Sequence, residues 1–348
     1  MKRIKTFITG AGASKEFDLP TGGELVKEIE QLCNFRIDQF GRISSGDRVL
    51  ARCFELAKSK TGERWNSAYL ADVANKLRKN MGLAPSIDNF LGAHIEKDGW
   101  SDVGKLAIAR AILKAERNSS LWFDSGNIYN NPDFSTLPPN WLTELFRTLV
   151  SRRGLDEFKA ALDSCRFITF NYDRTIEQFF HQAIKSYFDI DGYEVDGICS
   201  EHLNVIHVYG SLGPVSCDGS SSFGNSEDDR HVGAAAKRIK VFTEGAPDDA
   251  DLLRAKSWIR TTEVLVVLGF GFLPLNLRVL APEPEEEKYP LHTWLMTSKG
   301  VAPKNLEIAR TVLRNEWYGG RDYTLPFEDS FANEMIWRNS FFLSEADV

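Results

Sequence analysis

One short segment near the amino terminus constrains the fold more than any other part of the chain. Residues 4–9 have the pattern of a short buried strand and run directly into the turn Gly10-Ala11-Gly12-Ala13-Ser14. A helix is predicted after Pro20, because Thr21 and Glu24 have the spacing of a capping box. A strand, a glycine turn and a helix in this order are typical of the first unit of a doubly wound α/β sheet.

Alternating strand and helix patterns return after residue 160. Strands are predicted at 166–170, 205–209, 239–242 and 264–268, and helices at 174–185 and 248–260. This alternation predicts an α/β fold with a mostly parallel, Rossmann-like sheet and helices on both of its faces. Ligands of such sheets bind at the carboxyl ends of the strands.

A long helical stretch separates the first unit from the rest. Between residues 35 and 159, apolar residues recur at helical spacing and strand-like runs are missing. Within it, Ser86 is predicted to cap a helix that begins Ile87-Asp88-Asn89-Phe90-Leu91. We therefore predict a discontinuous Rossmann-like domain, a large helical insertion and a carboxyl-terminal tail, at 1–34 with 160–330, at 35–159 and at 331–348.

Charge and hydrophobicity exclude two classes of partner. The chain has 42 basic and 49 acidic residues and a formal net charge of −7, so no global positive field exists to hold nucleic acid. The longest apolar run, residues 264–275, is interrupted by Gly269, Gly271 and Pro274 and is shorter than the roughly 20 residues that span a bilayer. The basic first residues are not followed by the apolar segment of a signal peptide. We therefore expect no direct binding to nucleic acid or to a membrane.

The cysteines argue against a disulfide framework and against a structural zinc site. They are odd in number, widely spaced, and form no Cys-x-x-Cys pair. The five are Cys33, Cys53, Cys165, Cys199 and Cys217. We expect a cytoplasmic protein without a bound metal.

Three further strand ends carry polar residues or glycines. The first is Thr169-Phe170-Asn171-Tyr172-Asp173, in which the polar residues alternate and would share a side if the strand stayed extended. The second is His207-Val208-Tyr209-Gly210-Ser211, and the third is Gly269-Phe270-Gly271, where a ribose or base could lie against the backbone. Taken singly, each also has a structural explanation: a helix cap, a core histidine and close packing of glycines.

Together and in this order, the four motifs resemble the sirtuin-like family, the NAD-binding fold of the silent information regulators. The family pattern is a Gly-Ala-Gly-x-Ser turn, a Thr-x-Asn-x-Asp strand end, a His-Gly-Ser strand end and a late glycine turn. The segments 16–25 and 86–91 are particularly similar to bacterial sirtuin-like proteins of antiviral defence. The resemblance covers about residues 3–33 and 160–300.

The resemblance implies that NAD is the substrate and that its nicotinamide–ribose bond is cleaved. It implies that Asn171 positions the attacking water and the ribose hydroxyls, and that Asp173 contacts the nicotinamide carboxamide. It also implies a set of residues that hold the pyrophosphate or border the rest of the dinucleotide. That set is Gly10, Ala11, Gly12, Ser14, Thr169, Gly210, Ser211, Gly269 and Phe270.

Position 209 departs from the family pattern. The family histidine directly before Gly-Ser is replaced by Tyr209, a poor base near neutral pH because the ordinary pKa of tyrosine is about 10. His207 lies on the same strand face, displaced by about 6.5 Å. Three alternatives follow: His207 accepts the proton, water is ordered by Asn171 and Tyr209, or the site binds NAD without cleaving it.

Sirtuin deacylases carry a zinc ribbon built from two Cys-x-x-Cys pairs, and the scattered cysteines of this chain cannot form one. This difference argues against protein deacylation. The resemblance therefore implies an NAD glycohydrolase that depletes cellular NAD during phage infection when a partner or oligomerisation activates it. The alternatives are a module that senses NAD or ADP-ribose without cleaving it, and a transferase with a protein acceptor. The expected partners are further copies of the chain or a separate sensor, such as a nucleotide-binding subunit. Trp337, Phe341 and Phe342 in the tail would form an interaction surface or pack in the core.

Overall fold

A six-stranded parallel sheet forms the centre of the protein, for which we use a computed structural model. The structure describes residues 3–59, 61–124, 132–216, 223–241, 249–282, 293–317 and 325–344. The strands of the sheet are β1 (Lys5–Thr9), β2 (Cys165–Thr169), β3 (Asn204–His207), β4 (Val264–Leu268), β5 (Thr293–Thr297) and β6 (Phe327–Glu328). Their spatial order is β3-β2-β1-β4-β5-β6, and every neighbouring pair is parallel. This is the strand order of the Rossmann fold, so the predicted fold class is confirmed.

The register aligns the carboxyl ends of four adjacent strands, β3, β2, β1 and β4. Thr9 at the end of β1 pairs with Thr169 of β2 on one side and with Leu268 of β4 on the other. Thr169 in turn pairs with His207 of β3. The residues that follow these four strands therefore meet at one edge of the sheet, where doubly wound folds bind their ligands.

Helices cover both faces of the sheet. Alternate strand residues such as Phe7 and Phe167 point into one apolar cluster, and Ile8 and Ile168 point into another. The helices are α1 (Ala11–Ser14), α2 (Gly22–Leu32), α3 (Arg48–Leu56), α4 (Ser67–Asn80), α5 (Ile87–Ala93), α6 (Trp100–Asn118), α7 (Trp141–Val150), α8 (Leu155–Leu162), α9 (Thr175–Phe188), α10 (Gly192–His202), α11 (Asp229–Ala236), α12 (Ala250–Thr261), α13 (Pro274–Val279), α14 (Pro303–Val312), α15 (Ala332–Arg338) and α16 (Ser340–Ser344).

Two predicted helix starts are confirmed in detail. Glu24 accepts the backbone N–H of Thr21 at 2.8 Å, and the side chain of Thr21 lies against the backbone of Glu24, so the two residues form a capping box. Glu24 also accepts the hydroxyl of Thr21 at 2.8 Å. Ser86 accepts the backbone N–H of Asn89 at 3.1 Å at the start of α5. Local spacing in the sequence was sufficient to locate both helices.

The helices between β1 and β2 pack in two places. Helices α2 to α6 surround a large apolar cluster that also receives Val232 and Ile239 from the segment after β3. Helices α7 and α8 instead pack against the sheet, with Trp141 close to Phe7 and Phe167. The helical insertion thus shares its core with α11, which comes from the second half of the chain.

The predicted strand at 239–242 is wrong over its described residues. Ile239 and Val241 are buried in the apolar cluster of the insertion, and no strand forms at 239–241. Lys240 gives one backbone N–H to the carbonyl of Tyr209 at 2.9 Å, which ties the segment to the end of β3 without a ladder. The alternating apolar residues are therefore buried against helices of the insertion and do not form a strand of the sheet. Phe242 lies outside the described residues.

The tail is partly core and partly surface. Met335, Ile336 and Leu343 are buried in the cluster that contains α7. Trp337 and Phe341 are 65% and 87% exposed, so these two aromatic side chains are available on the surface.

Candidate functional site

The turn Gly10–Ser14, which we name the elbow, packs directly against the loop that follows β4. The backbone N–H of Gly10 donates to Leu268 O at 3.0 Å, and that of Gly12 donates to Gly269 O at 2.9 Å. Gly269 has a φ of +55°, and a Cβ placed there would lie 2.0 Å from the backbone nitrogen of Ala13. The close approach of the two loops is therefore sufficient to explain why glycine occupies positions 10, 12 and 269, before any ligand is considered.

We expect Gly269→Ala to destabilise the protein by more than about 1 kcal/mol, because alanine there is strained by the positive φ and collides with backbone atoms. Gly197→Ala is the matched control: a Cβ at Gly197, inside α10, meets nothing within 4 Å. That substitution is expected to be neutral or to stabilise by about 0.5–1 kcal/mol. Urea unfolding of both variants measures the difference. Equal stability of the two would contradict the packing described for the elbow.

The elbow offers fewer phosphate donors than its sequence suggests. The N–H groups of Gly10, Gly12 and Ala13 all donate to backbone carbonyls within the protein. Ala11 N–H faces no protein acceptor in the ranges that the structure describes, and the neighbouring Gly12 is exposed. A phosphate oxygen would therefore meet Ala11 N–H and the open backbone of Gly12.

Asn171 lies against the elbow. Its side-chain Nδ2 donates to Gly10 O at 3.0 Å and to the hydroxyl of Ser14 at 2.8 Å. These two bonds fix the orientation of the amide and turn its Oδ1 away from the elbow. None of the described residues donates a hydrogen bond to Oδ1. Because Oδ1 is also not a buried atom without a partner, this oxygen is open to solvent.

Asp173 is buried beside the same serine. Its Oδ1 accepts hydrogen bonds from Ser14 Oγ at 3.1 Å and from Thr175 N at 3.1 Å, and also from the hydroxyl of Thr175. Burial raises the pKa of Asp173, although these hydrogen bonds oppose the shift. The structure therefore joins Ser14, Asn171 and Asp173 in one hydrogen-bonded group at the carboxyl edge of the sheet.

His207 contacts the backbone of Asn171 rather than facing the elbow. Its Nδ1 lies 2.8 Å from Asn171 O, and its Nε2 lies 2.7 Å from the carboxylate of Glu177. Both partners are acceptors, so only the doubly protonated imidazolium can donate to both. Burial lowers the pKa of His207, but the carboxylate of Glu177, the carbonyl of Asn171 and the nearby Asp173 together raise it by more, and the net shift is upward. His207 is thus a positively charged side chain that links Asn171 O to Glu177, and we name this pair of contacts the brace.

This brace has a defined pH dependence. Because the pKa of His207 is raised in the folded protein, its contribution to stability is complete below about pH 6.5, the unfolded value, and is lost as the pH rises through the folded value. The pKa of Glu177 is lowered: burial raises it, but His207, a backbone hydrogen bond and Arg174 together lower it by more, so the contribution of Glu177 to stability is present above about pH 4.5.

We therefore expect His207→Gln to cost about 1–3 kcal/mol at pH 5.5 and less at pH 8.5. Unfolding of wild type and variant across this range measures the gap between them. His202→Gln, on a histidine whose Nδ1 pairs with Asp163 at 2.9 Å on the surface, is the control and should change little at either pH. A gap that widens with rising pH would contradict the imidazolium assignment.

The hydroxyl of Tyr209 is engaged within the protein. Its hydroxyl donates to Asn276 Oδ1 at 2.8 Å, and burial raises the pKa of this phenol above its ordinary value. Its ring packs edge-on against Phe170, 5.6 Å between centroids, and Phe170 packs on Phe270 at 5.1 Å. A row of aromatic rings therefore underlies the edge of the sheet.

The other predicted ligand residues have structural roles of their own. Thr169 is buried, and its hydroxyl accepts the backbone N–H of Asn171 at 3.1 Å. Phe270 is buried among Phe170 and Phe272. Gly210 has a φ of +74° and faces the carbonyl of Arg238, which a Cβ would approach to 2.0 Å.

Ser211 lies at the end of the β3 motif and is half-buried. Its hydroxyl accepts the N–H of Gly213 at 3.3 Å. Like Gly210, it lies in the loop after β3.

Sequence reasoning missed Glu177 and Asn276, which hold His207 and Tyr209. Glu177 lies in the first turn of α9, four residues after Asp173, so its position on the helix was predictable but its partner was not. Asn276 lies in the short helix α13, and its only signal was the Pro274 that begins that helix.

The described residues hold no cluster of three or more His, Cys, Asp or Glu side chains that could bind a metal ion. The described cysteines, Cys33, Cys53, Cys165 and Cys199, are free thiols, and Cys217 lies outside the described residues.

Of the helices that the structure describes, none is long and apolar enough to cross a membrane. No protein-family model matches the chain, and no curated protein is significantly similar to it.

Proposed function

We propose that the protein binds NAD at the edge formed by the ends of β1, β2 and β4 and hydrolyses it to nicotinamide and ADP-ribose. The observation that carries this proposal is the pair of hydrogen bonds from Asn171 Nδ2 to Gly10 O and Ser14 Oγ. They hold one solvent-facing amide oxygen beside the elbow, at the point where the strand order of the sheet reverses. The sirtuin-like resemblance of the four motifs supports the same choice of ligand.

Hydrolysis needs orientation more than covalent help from the protein. Loss of nicotinamide builds positive charge on the ribose C1′, and a water held at the correct place then captures it. Asn171 Oδ1 can accept a hydrogen bond from that water and leave its lone pair for the carbon. The proton that the water loses when the new C1′–O bond forms passes to solvent, because an amide oxygen does not take it up. Ser14 fixes the amide from one side, and His207 fixes its backbone from the other. His207 is a positioning residue in this mechanism.

A second candidate function is NAD or ADP-ribose binding without cleavage. The observation that favours it is that neither His207 nor Tyr209 has a free basic atom: both nitrogens of His207 face acceptors, and Tyr209 donates to Asn276. If capture of the ribose cation needs a strong base, the site will bind and not turn over.

For the cellular role, we propose a cytoplasmic effector that depletes NAD during phage infection. Its activation would come from self-assembly or from a separate sensor subunit. The exposed Trp337 and Phe341 of the tail support a protein partner, because large aromatic side chains are enriched at protein interfaces.

The test is to incubate the full chain with NAD, alone and with any partner encoded beside it, and to quantify nicotinamide and ADP-ribose by chromatography. Equal amounts of the two products are expected. Tight NAD binding without nicotinamide release under every condition would replace the first proposal by the second. Absence of NAD binding as well would remove both.

A further inference from the structure

A wide groove lined by basic residues lies between α3, α6 and α11, and none of its lining residues belongs to the elbow. Its volume is about 880 Å³. We name it the basic groove. Its cationic lining residues are Lys58, Lys105, Arg230, Lys237 and Arg238.

Part of the positive charge of the basic groove has no acidic partner among the described residues. Arg230, Lys237 and Arg238 form no ion pair with an acidic side chain of the described ranges. The groove also contains Asp229, whose carboxylate lies 3.8 Å from Arg52 Nε. Five cations against two acids, Asp102 and Asp229, therefore stand in one cavity of a chain whose net charge is −7.

The walls between the charges are apolar or lack side chains. Leu56 and Leu106 line the groove, and a Cβ on Gly233 would meet nothing within 4 Å. Cys53 also lines the groove, and burial raises the pKa of its thiol to about 12, so the thiol stays neutral. A cavity of this volume, lined by apolar and by charged side chains, has the size and composition of a small-ligand site.

From this geometry we infer that the basic groove binds a small anion that carries several phosphate groups, such as an oligophosphate or a nucleotide. Lysine and arginine bind phosphate through charge-assisted hydrogen bonds, and the apolar walls accommodate the uncharged part of a nucleotide. All five cationic residues line one cavity, and this favours a small ligand over a nucleic-acid strand, which needs an extended basic track. This inference is independent of the proposed NAD chemistry.

The experiment titrates inorganic tripolyphosphate into the full chain by calorimetry at two salt concentrations. We expect binding that weakens with salt, and an affinity lower by about tenfold or more in Arg230→Glu/Lys237→Glu. Arg238 is left unchanged because its carbonyl packs on Gly210. The control, Lys27→Glu/Lys304→Glu, makes the same change in charge at exposed residues outside the groove and should stay within about twofold of wild type.

Thermal melts of both double variants verify that each is folded. An equal loss of affinity in the two variants would overturn the inference, because it would show attraction to net charge only. So would unchanged binding in Arg230→Glu/Lys237→Glu, or no binding by the wild type. A single-stranded oligonucleotide that binds far more tightly than tripolyphosphate would overturn it in favour of nucleic acid.

Discussion

Replacing Asn171 with alanine is expected to lower the rate of NAD hydrolysis by about 10²–10⁴-fold, the range for loss of a group that handles the reacting water. The substitution removes Oδ1, the solvent-facing acceptor, together with both bonds from Nδ2 to the elbow. Affinity for NAD should change much less, because the role proposed for the amide concerns the water and the ribose and not the adenosine half. Nicotinamide release and NAD binding, measured on the same preparation, separate the two effects.

Asn204→Ala is the matched control for this substitution. Asn204 lies at the start of β3, at the opposite edge of the sheet, and its Nδ2 donates to His202 O at 3.2 Å. Its removal should leave turnover within about twofold of wild type. Full activity in Asn171→Ala would remove Asn171 from the mechanism. A loss of activity that matches that of Asn204→Ala would show a general effect on folding.

The second large effect is on stability and concerns a buried ion pair next to the site. Arg174 and Glu116 are both fully buried, with Arg174 Nη2 at 2.5 Å and Nε at 3.1 Å from the carboxylate. Glu116 also accepts the backbone N–H groups of Arg174 and Gly224. Arg174→Met leaves that carboxylate buried without its cation, so we expect a loss of about 3–5 kcal/mol in the free energy of unfolding.

Two variants test the cause of this loss. Arg147→Ala removes an exposed ion pair with Glu144 on α7 and should cost at most about 1 kcal/mol. The double variant Arg174→Met/Glu116→Gln removes both charges and should be more stable than Arg174→Met alone. Urea unfolding of the three proteins gives the comparison. If the double variant were less stable than the single one, desolvation of an unpaired carboxylate would not be the cause.

Most of the fold could be predicted from local patterns. The spacing of apolar residues located β1, β2, β3 and β4 to within two residues at each end, and the capping residues located α2 and α5. The short strands β5 and β6 were missed, because Thr293–Thr297 has only three consecutive apolar residues without alternation and Phe327–Glu328 has only two residues. The insertion, predicted to lack strands, also contains an antiparallel pair at Arg36–Ile37 and Ile43–Ser45, which is too short to show a period. The strand predicted at 239–242 failed where burial came from helices of the insertion.

The site was less predictable because its decisive contacts join distant parts of the chain. Alternation placed Thr169 and Asn171 on one side, but the chain turns after Thr169, so this residue points inward and accepts the N–H of Asn171. Spacing placed His207 near a strand end, but not which atoms its nitrogens would meet. The amide of Asn171 reaches an elbow about 160 positions earlier, and no local pattern reports such a contact.

The position of β1 inside the sheet determines when this strand can pair during synthesis of the chain. This strand is made first, yet its hydrogen-bonded neighbours begin at Cys165 and Val264. The backbone groups on both edges of β1 therefore have no strand partner while the helices of the insertion are synthesised. The second edge can pair only after residues 264–268 have been made. The Gly12 N–H has no Gly269 carbonyl to meet until then, so a nascent or truncated chain that ends before residue 269 lacks the elbow's main support.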